Sequence, residues 1–87
     1  GAVGFKDVST PAIPRSGERV MNRSPYTVAV MIESAGKVSS WDLTDADGTV
    51  QTFKGQLYPG QQIILDPAEQ IGIDYTEAPA WRWKAMR

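Results

Sequence analysis

The feature that most constrains this chain is the spacing of its apolar residues, which recur mostly at every second position. The clearest case is a run in which Tyr26, Val28, Val30 and Ile32 fall on one face of an extended strand. No segment keeps the three-and-four spacing that an amphipathic helix requires. Turn residues divide the chain into about seven short strands. The pattern predicts an all-β domain, a small two-sheet β-sandwich of immunoglobulin-like build, with a small β-barrel as the alternative.

The start of the chain lacks this period. Pro11 and Pro14 favour extended backbone before them. Its scattered apolar residues are Val3, Phe5, Val8 and Ile13, of which we expect Phe5, Val8 and Ile13 to lie against another surface. We therefore expect an extended N-terminal arm over residues 1–16 and a sandwich domain over residues 17–87. Burying the side chains of Phe5, Val8 and Ile13 contributes about 1.5–3 kcal/mol each. Their total is less than the total cost of ordering residues 1–16, at about 1–2 kcal/mol per residue.

The arm therefore needs backbone hydrogen bonds as well. A strand added to the sheet edge of a neighbouring molecule would supply them. We expect deletion of the arm to leave the domain folded and to abolish docking or oligomerisation.

Composition argues against most catalysts. The 87 residues include no Cys and no His, which removes disulfides, soft-metal sites and the commonest nucleophile and acid–base residues. No Gly-rich phosphate loop or serine nucleophile elbow is present. The net charge of −1 gives no general attraction to nucleic acid or anionic membranes. We expect no enzyme, no catalytic residue and no cofactor.

An acidic turn, Asp45-Ala46-Asp47-Gly48, suggests calcium at first sight. An EF-hand loop with its glycine at Gly48 would need an oxygen ligand at Leu43 and a glutamate at Lys54, and neither is present. A looser site built from Asp42 and the turn stays open as an alternative. Asp and Gly are also the residues that a hairpin turn prefers, so we expect a turn and no metal.

A second motif, Asn22-Arg23-Ser24, matches a glycosylation sequon. Pro25 follows it directly, and no secretory signal is visible. We expect Asn22 and Ser24 to hydrogen-bond the backbone of the local turn instead.

The aromatic residues near the end of the chain are candidates for partner binding. Trp81 and Trp83 alternate with Arg82 and Lys84, and Trp and Arg are common interface anchors. Stacking on sugars or bases is a second interpretation, and burial in a last strand is a third. We favour one core indole and one interface indole, although burial of both stays open. The predicted partner-binding residues are Phe5, Val8, Ile13, Trp81, Arg82 and Trp83.

Four segments together resemble the small all-β accessory proteins of tailed bacteriophages, which include head-decoration, head-fibre and tail-adaptor proteins. They are Val20-Met21-Asn22-Arg23-Ser24, the strand over residues 26–32, Leu57-Tyr58-Pro59-Gly60-Gln61-Gln62-Ile63, and Ile71-Gly72-Ile73-Asp74-Tyr75. The resemblance implies a β-sandwich whose extended arm locks onto a neighbour.

The resulting prediction is a non-enzymatic structural or decoration subunit that docks on a larger assembly, a phage virion. It implies capsid or tail protein partners or a homo-oligomer, no membrane, and a location in the virion, with an extracellular or cytoplasmic location as the alternative. A carbohydrate-binding module and a small barrel that binds single-stranded nucleic acid are the alternative functions. Residues 24–80 carry a net charge of −6, from two lysines and eight acidic residues, which argues against nucleic acid.

Overall fold

The computed structural model describes residues 8–86. Its strands are β1 (Arg19–Met21), β2 (Val28–Ser34), β3 (Lys37–Thr44), β4 (Val50–Lys54), β5 (Gln62–Leu65), β6 (Gln70–Glu77) and β7 (Ala80–Ala85). They form one sheet of order β1-β6-β3-β4 and a second of order β5-β2-β7, with antiparallel pairing throughout. The predicted two-sheet sandwich is confirmed. The barrel is not formed, because no strand pairing joins the two sheets within the described residues.

The core lies between the sheets and follows the period of two. In β2, Val28, Val30 and Ile32 are buried on the inner face, as their alternation predicts. The buried residues that pack with them are Val38, Leu57, Ile63, Leu65, Ile71, Ile73, Trp81 and Trp83. Trp41, which the pattern also assigns to the core, is only half-buried and stacks on Phe53 at a ring distance of 4.4 Å.

Two turns follow the chemistry of their residues. Gln61 N donates to Tyr58 O at 3.0 Å across Pro59 and Gly60, and Gly60 has a φ of 86°. A proline followed by a residue at positive φ defines the type II turn that Pro-Gly predicts. The acidic turn is also a hairpin turn, because Gly48 N donates to Asp45 O at 2.9 Å.

The segment over residues 8–16 forms no strand and runs along β7. Trp81 Nε1 donates to the Pro11 carbonyl at 2.8 Å, and the Trp83 amide donates to Thr10 Oγ1 at 3.0 Å. These bonds join the beginning of the described chain to its last strand.

The same segment also reaches β6. The Tyr75 hydroxyl donates to the Pro14 carbonyl at 2.8 Å, and the Tyr75 amide donates to Ser16 Oγ at 2.8 Å. Because β6 and β7 belong to different sheets, the segment closes the side of the sandwich between them.

This arrangement corrects the expected role of the arm. Val8 and Ile13 pack against the core of their own chain, whereas the sequence favoured the sheet edge of a neighbour. The gap between the two sheets offers these side chains an apolar surface, and β6 and β7 offer the hydrogen bonds that apolar burial alone does not supply. Phe5 lies outside the described residues.

Candidate functional site

A groove opens on the side of the sandwich where β1 is the edge of one sheet and β7 is an edge of the other. It encloses a cavity of about 380 Å³. Its apolar lining consists of Val8, Pro11, Val20, Met21 and Trp83, and its polar lining consists of Ser9, Asn22, Arg23 and Ser24. The groove is therefore an apolar slot with a polar end, built from three elements distant in sequence.

Trp83 lines the groove and carries a buried hydrogen-bond donor. The residue is 4% exposed, and within the part of the chain that the structure describes its Nε1 has no hydrogen-bond partner. Its neighbour Trp81 meets it edge to face, with ring centroids 5.6 Å apart, and its own indole N–H is bound to Pro11. A buried polar group without a partner costs free energy, so the Trp83 N–H favours any arrangement that brings an acceptor to it.

Asn22 builds the polar end of the groove. Its Nδ2 donates to Tyr26 O at 2.8 Å and to Leu65 O at 3.1 Å. Its Oδ1 accepts from Ser24 N at 3.0 Å and from Ser24 Oγ at 2.7 Å. The prediction that Asn22 and Ser24 hydrogen-bond the local turn is confirmed. Since both N–H groups and the oxygen of this amide are engaged, Asn22 shapes the wall and leaves ligand binding to other residues.

Among the described residues that line the groove, Arg23 is the only one with an ionisable side chain. It is exposed, and no ion pair forms on it within residues 8–86, where the salt bridges are Arg19–Asp42 and Lys37–Glu77. The hydrogen bonds between Asn22 and Ser24 fix the backbone of the turn that carries it. The groove therefore carries one available positive charge.

The predicted partner-binding residues are divided between this groove and other places. Val8 and Trp83 line the groove, whereas Ile13 and Trp81 pack in the core. Both indoles are buried in the core cluster, and Trp83 also lines the groove. Arg82 is exposed on β7, opposite Met31 of β2, and takes no part in the groove lining.

Val20, Met21 and Arg23 were missed as site residues. The sequence marked their segment only as a short strand and a turn. Their place in the groove depends on β1 lying at a sheet edge, which the spacing of apolar residues does not reveal.

The acidic residues do not come together as a metal site. Asp42 accepts a hydrogen bond from Arg19 at 2.8 Å. Asp47 Oδ1 accepts one from Thr49 N at 2.9 Å, and this backbone bond, followed by that from the Thr49 side chain, holds the pKa of Asp47 below its ordinary value of 3.8. Between residues 8 and 86, no three metal-binding side chains form a cluster.

Comparison with known proteins places the chain. It is 35% identical over 70 residues to Protein ApaG of Methylobacillus flagellatus, which covers 74% of this chain and 55% of that protein. It is 32% identical over 86 residues to Protein ApaG of Pseudomonas paraeruginosa, which covers 92% of this chain and 68% of that protein. The chain belongs to the ApaG family. Protein ApaG of Pseudomonas aeruginosa is 29% identical over 86 residues. No family model and no solved structure matches the chain.

Membership in the ApaG family overturns the phage interpretation. The relatives are bacterial ApaG proteins, so the resemblance to phage accessory proteins is wrong, and so are the decoration function and the virion location derived from it. The motifs that suggested it are general parts of a β-sandwich: an Asn-Ser turn and a Pro-Gly turn before a strand. No helix in the described part of the chain is long and apolar enough to cross a membrane.

Proposed function

We propose that this ApaG-family chain is a non-enzymatic module that binds a segment of a partner protein in the groove between β1, residues 8–16 and β7. The observation that carries the proposal is a cavity of about 380 Å³ that is lined in part by Trp83, whose buried indole N–H has no hydrogen-bond partner among residues 8–86. Ligand sites commonly combine an apolar lining with a few polar groups that fix orientation.

The chemistry of the lining supports binding without catalysis. Among the described lining residues, Arg23 is the only ionisable group, so these residues offer no acid–base pair to the cavity. Ser24 Oγ is already bound to Asn22 Oδ1 at 2.7 Å and to Tyr26 O at 3.1 Å, and no histidine exists in the chain to activate it. A chain without cysteine needs no oxidising compartment, which is consistent with a cytoplasmic module.

The geometry of β1 supports a protein segment as the ligand. Asn22 N donates to Glu69 O at 2.8 Å, directly beyond the pair Met21↔Gln70. Hydrogen-bonded and non-hydrogen-bonded pairs alternate in an antiparallel ladder, so the amide and carbonyl of Met21 point away from β6. An extended segment can pair with such an edge and place a side chain in the adjacent cavity.

The test is a selection of displayed random peptides on the wild-type chain, followed by binding to two variants. Ser9→Trp places an indole at the mouth of the groove from an exposed position. Ser34→Trp makes the same change at the exposed end of β2, outside the groove lining. We expect the selected peptides to lose binding to Ser9→Trp and to keep it with Ser34→Trp. Peptides that bind both variants like the wild type would show that the groove is not the binding site.

A further inference from the structure

We infer that the groove selects an extended peptide in which one large apolar side chain lies next to a carboxylate. The inference rests on the proposed function and adds the chemical class of the partner. Three parts of the groove carry it: the apolar walls, the charge of Arg23 and the donor of Trp83.

The walls determine the side chain. Val8, Val20 and Met21 face a cavity of about 380 Å³, near the lower end of the roughly 300–1,000 Å³ typical of ligand pockets. A space of this size accepts a leucine or phenylalanine side chain and excludes a folded element. Met21 is unbranched and adapts its shape to what it contacts.

The charge determines what flanks that side chain. Arg23 is exposed and has no carboxylate partner within the described residues. A guanidinium matches a carboxylate through two parallel N–H···O bonds, which are stronger than bonds between neutral groups. A peptide with an acidic residue beside its apolar anchor therefore gains an interaction that a neutral peptide lacks.

The donor determines the backbone contact. The Trp83 N–H requires an acceptor, and a peptide offers its main-chain carbonyls. Because Nε1 is buried, the groups that cover it must move before a carbonyl can reach it. Binding should therefore change the environment of this one proton more than that of the Trp81 N–H, which already has Pro11 as its acceptor.

The experiment uses three blocked peptides, Ac-GDLDG-NH2, Ac-GNLNG-NH2 and Ac-GDSDG-NH2, titrated into the ¹⁵N-labelled chain. The proteins are the wild type, Arg23→Gln and the matched control Arg82→Gln, which removes the same charge from an exposed position outside the groove. The indole signal of Trp83 is assigned by its absence in Trp83→Phe. We expect the acidic leucine peptide to shift this signal and to bind Arg23→Gln at least fivefold more weakly than the wild type and Arg82→Gln. Added salt should weaken the binding of the acidic leucine peptide and leave the binding of the neutral leucine peptide unchanged.

Each other outcome overturns a stated part. Equal binding of the acidic and neutral leucine peptides, or equal binding by Arg23→Gln and Arg82→Gln, overturns the carboxylate preference. If the serine peptide binds as tightly as the acidic leucine peptide, the groove does not select an apolar side chain. If neither leucine peptide binds at several millimolar, the whole inference is overturned. The Ser9→Trp variant tests the proposed function separately, because the peptides used with it are selected without regard to charge.

Discussion

Trp81 and Trp83 lie two positions apart on β7 with their rings edge to face, yet among residues 8–86 only the Trp81 indole N–H has an acceptor. The two residues have almost the same burial, 6% and 4% exposed. They therefore provide a matched pair in which one indole N–H is hydrogen-bonded and the other has no acceptor within the described residues.

Replacing each indole with phenylalanine should separate these roles. Trp81→Phe removes the bond to Pro11 and leaves that carbonyl without its donor, whereas Trp83→Phe removes a donor that had no partner. We expect Trp81→Phe to lower the free energy of unfolding by about 1–2 kcal/mol more than Trp83→Phe does. Urea denaturation of both variants measures the difference, and equal losses would mean that the Trp81–Pro11 bond contributes nothing.

Deleting residues 1–16 should destabilise the sandwich, in contrast to the expectation from sequence. The deletion removes Val8 and Ile13 from the core and frees the donors of Tyr75 and Trp81. Each buried aliphatic side chain is worth about 1.5–3 kcal/mol, so a fall in melting temperature of many degrees is expected. Deleting residues 1–7 is the control, because it removes none of these contacts. If deletion of residues 1–16 leaves the melting temperature unchanged, the arm does not contribute to the stability of the domain, as the sequence predicts.

Asn22 should be among the most sensitive polar positions. Asn22→Ala leaves the carbonyls of Tyr26 and Leu65 without their side-chain donor and removes the acceptor of Ser24. We expect a loss of about 2–3 kcal/mol in the free energy of unfolding, measured by urea denaturation. Ser24→Ala, which keeps both Asn22 donor bonds, should cost about 1 kcal/mol. A similar cost for the two variants would argue against Asn22 as the centre of this network.

Gly72 allows Arg19 and Asp42 to meet. Arg19 of β1 and Asp42 of β3 flank Gly72 of β6, and Arg19 Nε donates to Asp42 Oδ1 at 2.8 Å. A Cβ on Gly72 would lie 2.9 Å from both Arg19 Cγ and Asp42 Oδ1, and 3.1 Å from Glu18 O. We expect Gly72→Ala to cost about 1–3 kcal/mol by overpacking.

A double-mutant cycle tests whether the contact with Arg19 causes that loss of stability. In an Arg19→Ala background, Gly72→Ala should be less destabilising, because one of the clashing side chains is gone. Arg19→Ala alone should cost below about 1 kcal/mol, since the ion pair is partly exposed. Strict additivity in the cycle would show that the Cβ is not opposed by Arg19.

Asp47 should make the hairpin between β3 and β4 sensitive to acid. Because its folded pKa lies below the ordinary value of 3.8, its stabilising contribution is present above that value and is lost as the pH falls through the folded pKa. Carboxyl ¹³C titration should give Asp47 a midpoint below 3.8. Asp47→Asn should show a shallower loss of stability between about pH 5 and pH 2, and a midpoint at or above the ordinary value would contradict the effect of the Thr49 bonds.

Much of the fold could be predicted from the sequence, because period and turn chemistry are local. The alternation of Val28, Val30 and Ile32 corresponds to the buried face of β2, and Asp45-Ala46-Asp47-Gly48 forms the expected turn. Strand order is a different matter, since alternation tells which face a residue occupies and nothing about which strand lies beside it.

The groove could not be predicted for the same reason. It needs β1 and β7 at neighbouring edges and residues 8–16 between the sheets. Val8 and Ile13 marked that segment as one that packs on an apolar surface, but the choice between its own sandwich and a neighbour depends on the gap between the two sheets, which no local pattern encodes.

The bonds from Trp81 to Pro11 and from Trp83 to Thr10 join residues 70 and 73 positions apart. During synthesis the residues around Pro11 leave the ribosome long before β7 exists. The side of the sandwich between β6 and β7 therefore cannot close until the last strand has emerged, and Val8 and Ile13 stay exposed until then. A stall in translation before residue 81 would therefore leave an open sandwich for chaperones to protect.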